Sequence, residues 1–281
     1  MGEPLINYQN VEIVQQDFCV LHNINMQLNA GDFLYIIGKV GAGKTSLLKT
    51  IYGELSIASG EAEVLGNNLR AIKRKNIPQL RRKLGIIFQD FQLLTDRTVN
   101  DNLEFVLRAT GWKNKLEIKE RIKEVLEQVG MANEGNKLPS ELSGGEQQRI
   151  VIARAILNSP SIILADEPTG NLDVETGRKI VELLHEISRN GSSVIMTTHN
   201  IQLLKEFPGL VLQCKNNELH DATHEFYKKT NTQDKLEPDN REPILETTCS
   251  QAEFVNEEDS EEDEDIETKT VTEKETDTDK E

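Results

Sequence analysis

Two stretches of this 281-residue chain carry side chains suited to moving a phosphoryl group. In Gly38-Lys39-Val40-Gly41-Ala42-Gly43-Lys44-Thr45-Ser46 the glycines, lysine and hydroxyls have the spacing of a loop that wraps phosphate oxygens with backbone N–H groups. Lys44 is placed to neutralise β- and γ-phosphates, and the Thr45 hydroxyl to ligate Mg²⁺. Far downstream, the apolar run Ser161–Ala165 ends in Asp166-Glu167. A carboxylate at the end of a buried strand is a metal ligand in such a site, and its neighbour is positioned to polarise water as a general base.

Between them lies Leu142-Ser143-Gly144-Gly145-Glu146-Gln147-Gln148-Arg149, a small-residue turn opening a helix. A helix N-terminus with free N–H groups attracts anions. Ser143, Gly144, Gly145 and Glu146 are therefore candidate phosphate contacts. Gln89 follows the run Leu84–Phe88, and His199 follows Val194–Thr197. Either alone reads as an ordinary surface or structural residue. Their order among the other motifs gives them meaning.

Hydrophobic patterning supplies the elements that must hold these groups. Residues 5–13 and 20–28 alternate as two strands joined by the polar turn Gln15-Gln16-Asp17, while Phe33–Ile37 is a short run suited to a strand buried on both faces. Leu47, Leu48 and Ile51 give Thr45–Tyr52 a helical period. From Val99 to Val129 the pattern is again helical, with Trp112 in the link as a packing residue. Asp173 reads as the N-cap of a further helix. Strands alternating with helices predict an α/β fold with a mainly parallel sheet.

The formal charge of −16 belongs almost wholly to one end. Residues 231–281 hold 20 acids and 5 bases, which leaves the preceding 230 with 28 acids and 27 bases. That balance argues against nucleic-acid binding. The acidic stretch reads as disordered, either a partner-binding arm or a solvating tail. Cys19, Cys214 and Cys249 lack metal-ligand spacing and read as reduced thiols of a cytosolic protein. No apolar run approaches the ~18 residues of a membrane span, and the Met1-Gly2-Glu3-Pro4 start lacks signal-peptide character, so direct membrane insertion is not expected.

Taken together, the phosphate loop, the Leu142–Arg149 turn, Asp166-Glu167 and His199 resemble the ATP-binding-cassette (ABC) ATPases over residues 5–222. The resemblance implies a P-loop ABC nucleotide-binding domain over 1–222. That domain has a RecA-like parallel-sheet core, an antiparallel β layer and an inserted helical subdomain at about 90–158, and an acidic tail over 223–281 follows it. It implies ATP and Mg²⁺, with Thr45, Gln89 and Asp166 toward the metal, Glu167, His199, Gln89 and Lys44 in catalysis, and Ser143–Glu146 reaching the γ-phosphate of a second subunit. The Asn171-Leu172-Asp173 loop is where two subunits touch, so a homodimer is expected. The family stacks adenine on an aromatic in the first hairpin. Phe18 is the candidate and Tyr8 a weaker one, though a hairpin aromatic is as readily core.

Pro168–Asp173, Glu146 and Phe88–Asn102 together are similar to the branch of cell-division (FtsE), lipoprotein-release (LolD) and macrolide-export ATPases, nearest to the first. That likeness implies an FtsX-type integral membrane partner and a cytoplasmic location on the inner face of the plasma membrane. It also implies control of cell-wall hydrolysis, and docking of the partner near Gln89, Phe91, Leu93 and Arg97. A lipoprotein or drug transporter with the same chemistry, and a scaffold that binds ATP without turnover, are the alternative readings.

Overall fold

The computed structural model describes residues 3–233. Strands β1 (Ile6–Gln15) and β2 (Phe18–Leu28) pair antiparallel. Gln16 and Asp17 close the hairpin at φ of 49° and 64°, the left-handed conformation a two-residue turn needs. Ile6, Tyr8, Val11 and Ile13 form its buried row. β4 (Ser59–Val64) and β5 (Asn67–Asn68) extend this layer in the order β2-β1-β4-β5.

The second sheet comprises β3 (Phe33–Ile37), β6 (Leu84–Ile87), β7 (Ile162–Asp166), β8 (Ser193–Thr198), β9 (Leu210–Lys215) and β10 (Glu218–Asp221). Its order is β10-β9-β3-β8-β7-β6, parallel except for β10. Because side chains alternate along a strand, β3 feeds two cores. Phe33, Tyr35 and Ile37 join one, and Leu34 and Ile36 the other. The second core is shared with the antiparallel layer and with α1 (Lys44–Ile51). The first lies against the larger helices.

Those helices are α3 (Val99–Ala109), α4 (Lys115–Gln128), α5 (Gly144–Ile156) and α6 (Val174–Arg189); α2 (Ile77–Arg82) and α7 (Ile201–Glu206) are short. Side-chain caps set several starts: Thr98 accepts from Asp101 N, Asn114 from Leu116 N, and Asp173 from Thr176 N. Trp112 packs against the helical core and donates Nε1–H to Asn158 Oδ1 at 3.1 Å. Buried Asn102 ties down the segment before α3. Its Oδ1 accepts from Leu94 N at 2.8 Å, and its Nδ2 donates to the carbonyls of Leu94, Arg97 and Thr98.

The boundary expected at residue 222 falls too early. Helix α8 (Thr223–Gln233) continues the ordered chain, and Phe226 and Tyr227 pack on the first core. Tyr227 Oη accepts from Gly209 N at 2.9 Å and donates to Gly209 O at 3.1 Å. One pair of aromatics in a polar stretch leaves too faint a helical period to read. The acidic stretch from residue 234 onward lies outside the described residues.

Candidate active site at the sheet edge

Register brings the chemistry together. Ile37 pairs with Thr198, Asp166 with Thr197, and Ile87 with Ala165. The next residues along each strand are Gly38, His199, Glu167 and Phe88-Gln89, so four loops leave one C-terminal edge at one level. In parallel sheets this edge is where ligands bind.

Gly43 is the turning point of the phosphate loop. Its φ is 92°, and a β-carbon there would lie 2.9 Å from Leu21 Cγ and 3.0 Å from Val20 Cγ1. Only glycine permits both the conformation and the approach of β2. α1 starts immediately after. Lys44, 7% exposed, donates to the Gly38 carbonyl at 2.9 Å and the Lys39 carbonyl at 3.3 Å, and pairs with Glu167 Oε1 at 3.3 Å. All three ammonium hydrogens are thus engaged. Thr45 and Lys39 are exposed at the rim, and Val40 is almost fully so.

Glu167 sits at φ 45°, uncommon for a residue with a side chain. Its amide N–H donates to Thr197 Oγ1 at 2.8 Å, and Thr197 Oγ1 donates to Asp166 Oδ1 at 2.6 Å. The other Glu167 oxygen, Oε2, lies 2.9 Å from His199 Nδ1. Since an ionised carboxylate only accepts, Nδ1 carries the hydrogen. Lys44, Glu167 and His199 therefore form one connected group. Thr197, which locks both acids, was not singled out from the sequence. It is the register partner of Asp166 on the neighbouring strand, a pairing that only the folded sheet reveals.

Gln89 is exposed, and its backbone oxygen accepts from Asn171 Nδ2 at 3.4 Å. The Asn171–Asp173 loop thereby touches the strand end that carries Gln89. The hard oxygen donors Asp166 and Thr45 suit Mg²⁺, which favours a few protein oxygens with phosphate and water over an all-protein cage. No group of three His, Cys, Asp or Glu side chains suited to a metal occurs among the described residues.

The Leu142–Arg149 turn stands elsewhere. Ser143 N-caps α5 in a capping box: Glu146 N donates to Ser143 Oγ at 3.4 Å, while Ser143 N and Oγ donate to Glu146 Oε2 at 2.8 and 2.7 Å. These bonds from Ser143 hold the Glu146 carboxyl below its usual range. Ser143, Gly144, Gly145 and Glu146 line a cleft of ≈ 350 Å³ with Asn171, Asp173 and Thr176. No phosphate-loop residue lines it. Gly145 meets α6 there: a β-carbon on it would fall 2.5 Å from Thr176 Cγ2.

Phe18 is 77% exposed beside the hairpin turn, so it is no core residue, whereas Tyr8 is 1% exposed and bonded to Thr50 Oγ1 at 3.0 Å. The weaker stacking candidate is thereby excluded. Ser46 Oγ approaches Gln15 Oε1 at 3.4 Å, linking α1 to the hairpin that bears Phe18.

Comparison with known proteins agrees with this geometry. The ABC transporter family model matches residues 21–170. The cell-division ATP-binding protein FtsE of Streptococcus pneumoniae serotype 2 is 42% identical over 196 residues, covering 70% of this chain and 85% of that protein. FtsE of Escherichia coli K12 is 39% identical over 200 residues, 71% of this chain and 90% of that one. Among solved structures, a dimeric post-hydrolysis state of the ATP-binding cassette MJ0796 bound to ADP and Pi superposes with a TM-score of 0.68 at 31% identity. That match covers 77% of this chain and 98% of the other. The cbiO1 structure from Clostridium perfringens gives a TM-score of 0.77 at 26% identity, covering 84% and 95%.

Proposed function

Since this chain belongs to the ABC transporter family, as an FtsE-like ATP-binding subunit, we propose that it hydrolyses ATP at two composite sites of a symmetric homodimer. It is an ATPase, the ATP-binding subunit of an FtsEX-type cell-division complex. The observation that carries the shared-site reading is a separation within one chain. Lys44, Glu167 and His199 converge at the sheet edge, while Ser143-Gly144-Gly145 line another cleft. A second copy, turned by a two-fold axis, supplies the missing half to each site. MJ0796 is described as a dimer, which supports the same arrangement here.

In this reading Gly38–Ser46 cradle the triphosphate, and Phe18 stacks on adenine. Thr45, Asp166 and Gln89 would hold Mg²⁺, which would supply neutralisation of phosphate charge. Lys44 leaves Glu167 for the phosphates, freeing that carboxylate to take a proton from water. The water oxygen bonds to the γ-phosphorus as the bridging P–O bond breaks, and the electron pair departs with ADP. His199 orients Glu167 and meets the departing phosphate. Ser143 and the Gly144 and Gly145 N–H groups of the second copy face the charge that accumulates there.

The membrane partner is of FtsX type, and the chain works from the inner face of the plasma membrane to regulate cell-wall hydrolysis. The partner docks beside Gln89 and the segment Phe91–Arg97 that Asn102 holds. The cassette domain, expected over 1–222, runs on through α8, with the helical subdomain at about 90–158 within it. Among the described residues no helix is long and apolar enough to cross a membrane.

Mixing two inactive chains tests the shared site. Lys44→Ala has a dead phosphate loop, and Ser143→Arg a dead turn. A heterodimer of the two has one intact site, so an equal mixture recovers toward about a quarter of the wild-type rate. No recovery, with dimers present by light scattering, overturns the reading.

A further inference from the structure

Between Leu65 and Gln89 the chain carries seven basic residues and no acid. Lys73, Arg74 and Lys75 occupy a 3-10 turn and its N-cap, and Arg82 and Lys83 end α2. Arg70 and Arg81 flank them, and all seven are exposed. Leu80, buried, seats the helix, so the charged positions are turned outward by packing. Arg81 donates to the Tyr52 carbonyl at 2.9 Å and Arg70 to the Gly60 carbonyl at 3.3 Å, both uncharged acceptors. None of the seven enters an ion pair among the described residues. Glu54, the acid whose carboxyl senses Arg81, is already held by Lys49 at 3.0 Å. At the foot of α2 a cavity of ≈ 370 Å³ is lined by Arg81, Arg82 and Arg154, with no carboxylate in its wall.

Such a face is out of keeping with a folded part whose charges otherwise balance. Unpaired, outward and contiguous, it generates a positive field that extends about a Debye length, ~10 Å at 0.1 M salt. A planar array of phosphodiesters matches it better than a single small anion, because the charges spread across a turn, a helix and a cavity mouth instead of converging on one point. No large apolar side chain projects from the stretch, so contact is electrostatic and shallow.

We propose that the Arg70–Lys83 face binds the surface of a membrane rich in anionic phospholipid, orienting the cassette against the bilayer independently of any protein partner. Each basic residue near such a surface contributes about fivefold in partitioning. The contact also adds to whatever affinity a membrane subunit supplies, as a second weak attachment does.

The test uses the full chain without nucleotide or membrane protein, so its outcome is separate from the FtsX-type reading. Sedimentation with phosphatidylglycerol–phosphatidylcholine vesicles at low salt is compared with phosphatidylcholine alone. The expected result is binding to the anionic vesicles only, lost at 1 M salt. Lys73→Glu/Arg74→Glu/Lys75→Glu should lower it about hundredfold. Lys115→Glu/Lys119→Glu/Lys123→Glu, an equal charge change on α4, should leave most of it. Both variants should retain their ATP-binding thermal shift, which reports folding. Absent binding, equal binding to neutral vesicles, or equal loss in both variants overturns the proposal. Tighter retention by a DNA duplex of matched phosphate concentration also overturns it, by assigning the face to nucleic acid.

Discussion

Lys44 Nζ stands 3.3 Å from Glu167 Oε1 in a pair almost closed to solvent. The cation that should meet phosphate is therefore held by the carboxylate that should meet water. Removing one member of a buried pair leaves the other desolvated and uncompensated. Glu167→Gln should abolish hydrolysis by at least about a hundredfold while preserving ATP binding. It should also lower nucleotide-free stability by about 1–2 kcal/mol, because the two carbonyl partners still serve Lys44. Thermal melting with and without ATP checks this: the deficit should vanish when phosphate supplies the missing anion.

Two aromatics of the same hairpin should separate binding from stability. Phe18 is exposed and Tyr8 is core. Phe18→Ala should raise KM for ATP about tenfold, the loss of roughly 1.4 kcal/mol of stacking, with an unchanged melting temperature. Tyr8→Phe should leave KM unchanged and cost about 1 kcal/mol through the lost bond to Thr50. Steady-state kinetics and melts on both variants distinguish the roles.

Gly145 has no room for a methyl group because Thr176 Cγ2 would lie 2.5 Å away, and a β-branched side chain in a helix has little rotamer freedom. Gly145→Ala should lose about 1–3 kcal/mol of stability. Thr176→Ser removes the offending carbon while the backbone Thr176 N–H still caps on Asp173. The double variant should recover most of the loss in denaturant melts. If it does not, crowding is not the cause.

His185 stacks on Phe33 at 3.7 Å, and its Nε2 lies 2.9 Å from Tyr35 Oη. Tyr35 gives its own hydrogen to the Phe207 carbonyl, so Nε2 is the donor. Burial, and next Arg189, lower its pKa to about 4. The unfolded chain binds this proton near 6.5 and the folded chain does not. Stability therefore rises with pH from about 4 to 6.5 and is lost on acidification through that window. The slope stays below the ~1.4 kcal/mol per unit of one whole proton, because the ring is partly exposed. His185→Phe should flatten this limb in melts taken between pH 4 and 6.5.

The phosphate loop, the acidic strand end, the hairpin and the large helices were legible because each joins a strict local spacing to a clear hydrophobic period. Ser143 and Asp173 were legible as helix starts for the same local reason. Thr197 was not: its importance comes from lying opposite Asp166 across two strands, a relationship of register that no stretch of sequence contains. Phe18 ranked above Tyr8, but whether either was core was not legible, since both are aromatics in alternating strands and only the turn position exposes one. Helix α8 was missed because its helical period is too faint, and its docking depends on Gly209, far back in the chain.

Thr197 owns a single hydrogen. It points toward Asp166, and the lone pairs behind it receive the Glu167 amide. The relay is thus one-directional. Any change that draws electron density out of Asp166 makes it a poorer acceptor, leaves the hydroxyl less polarised and weakens its hold on the Glu167 backbone. The two adjacent acids are consequently tied through one hydroxyl, and a valine at 197, equal in shape but mute, would leave them to move independently.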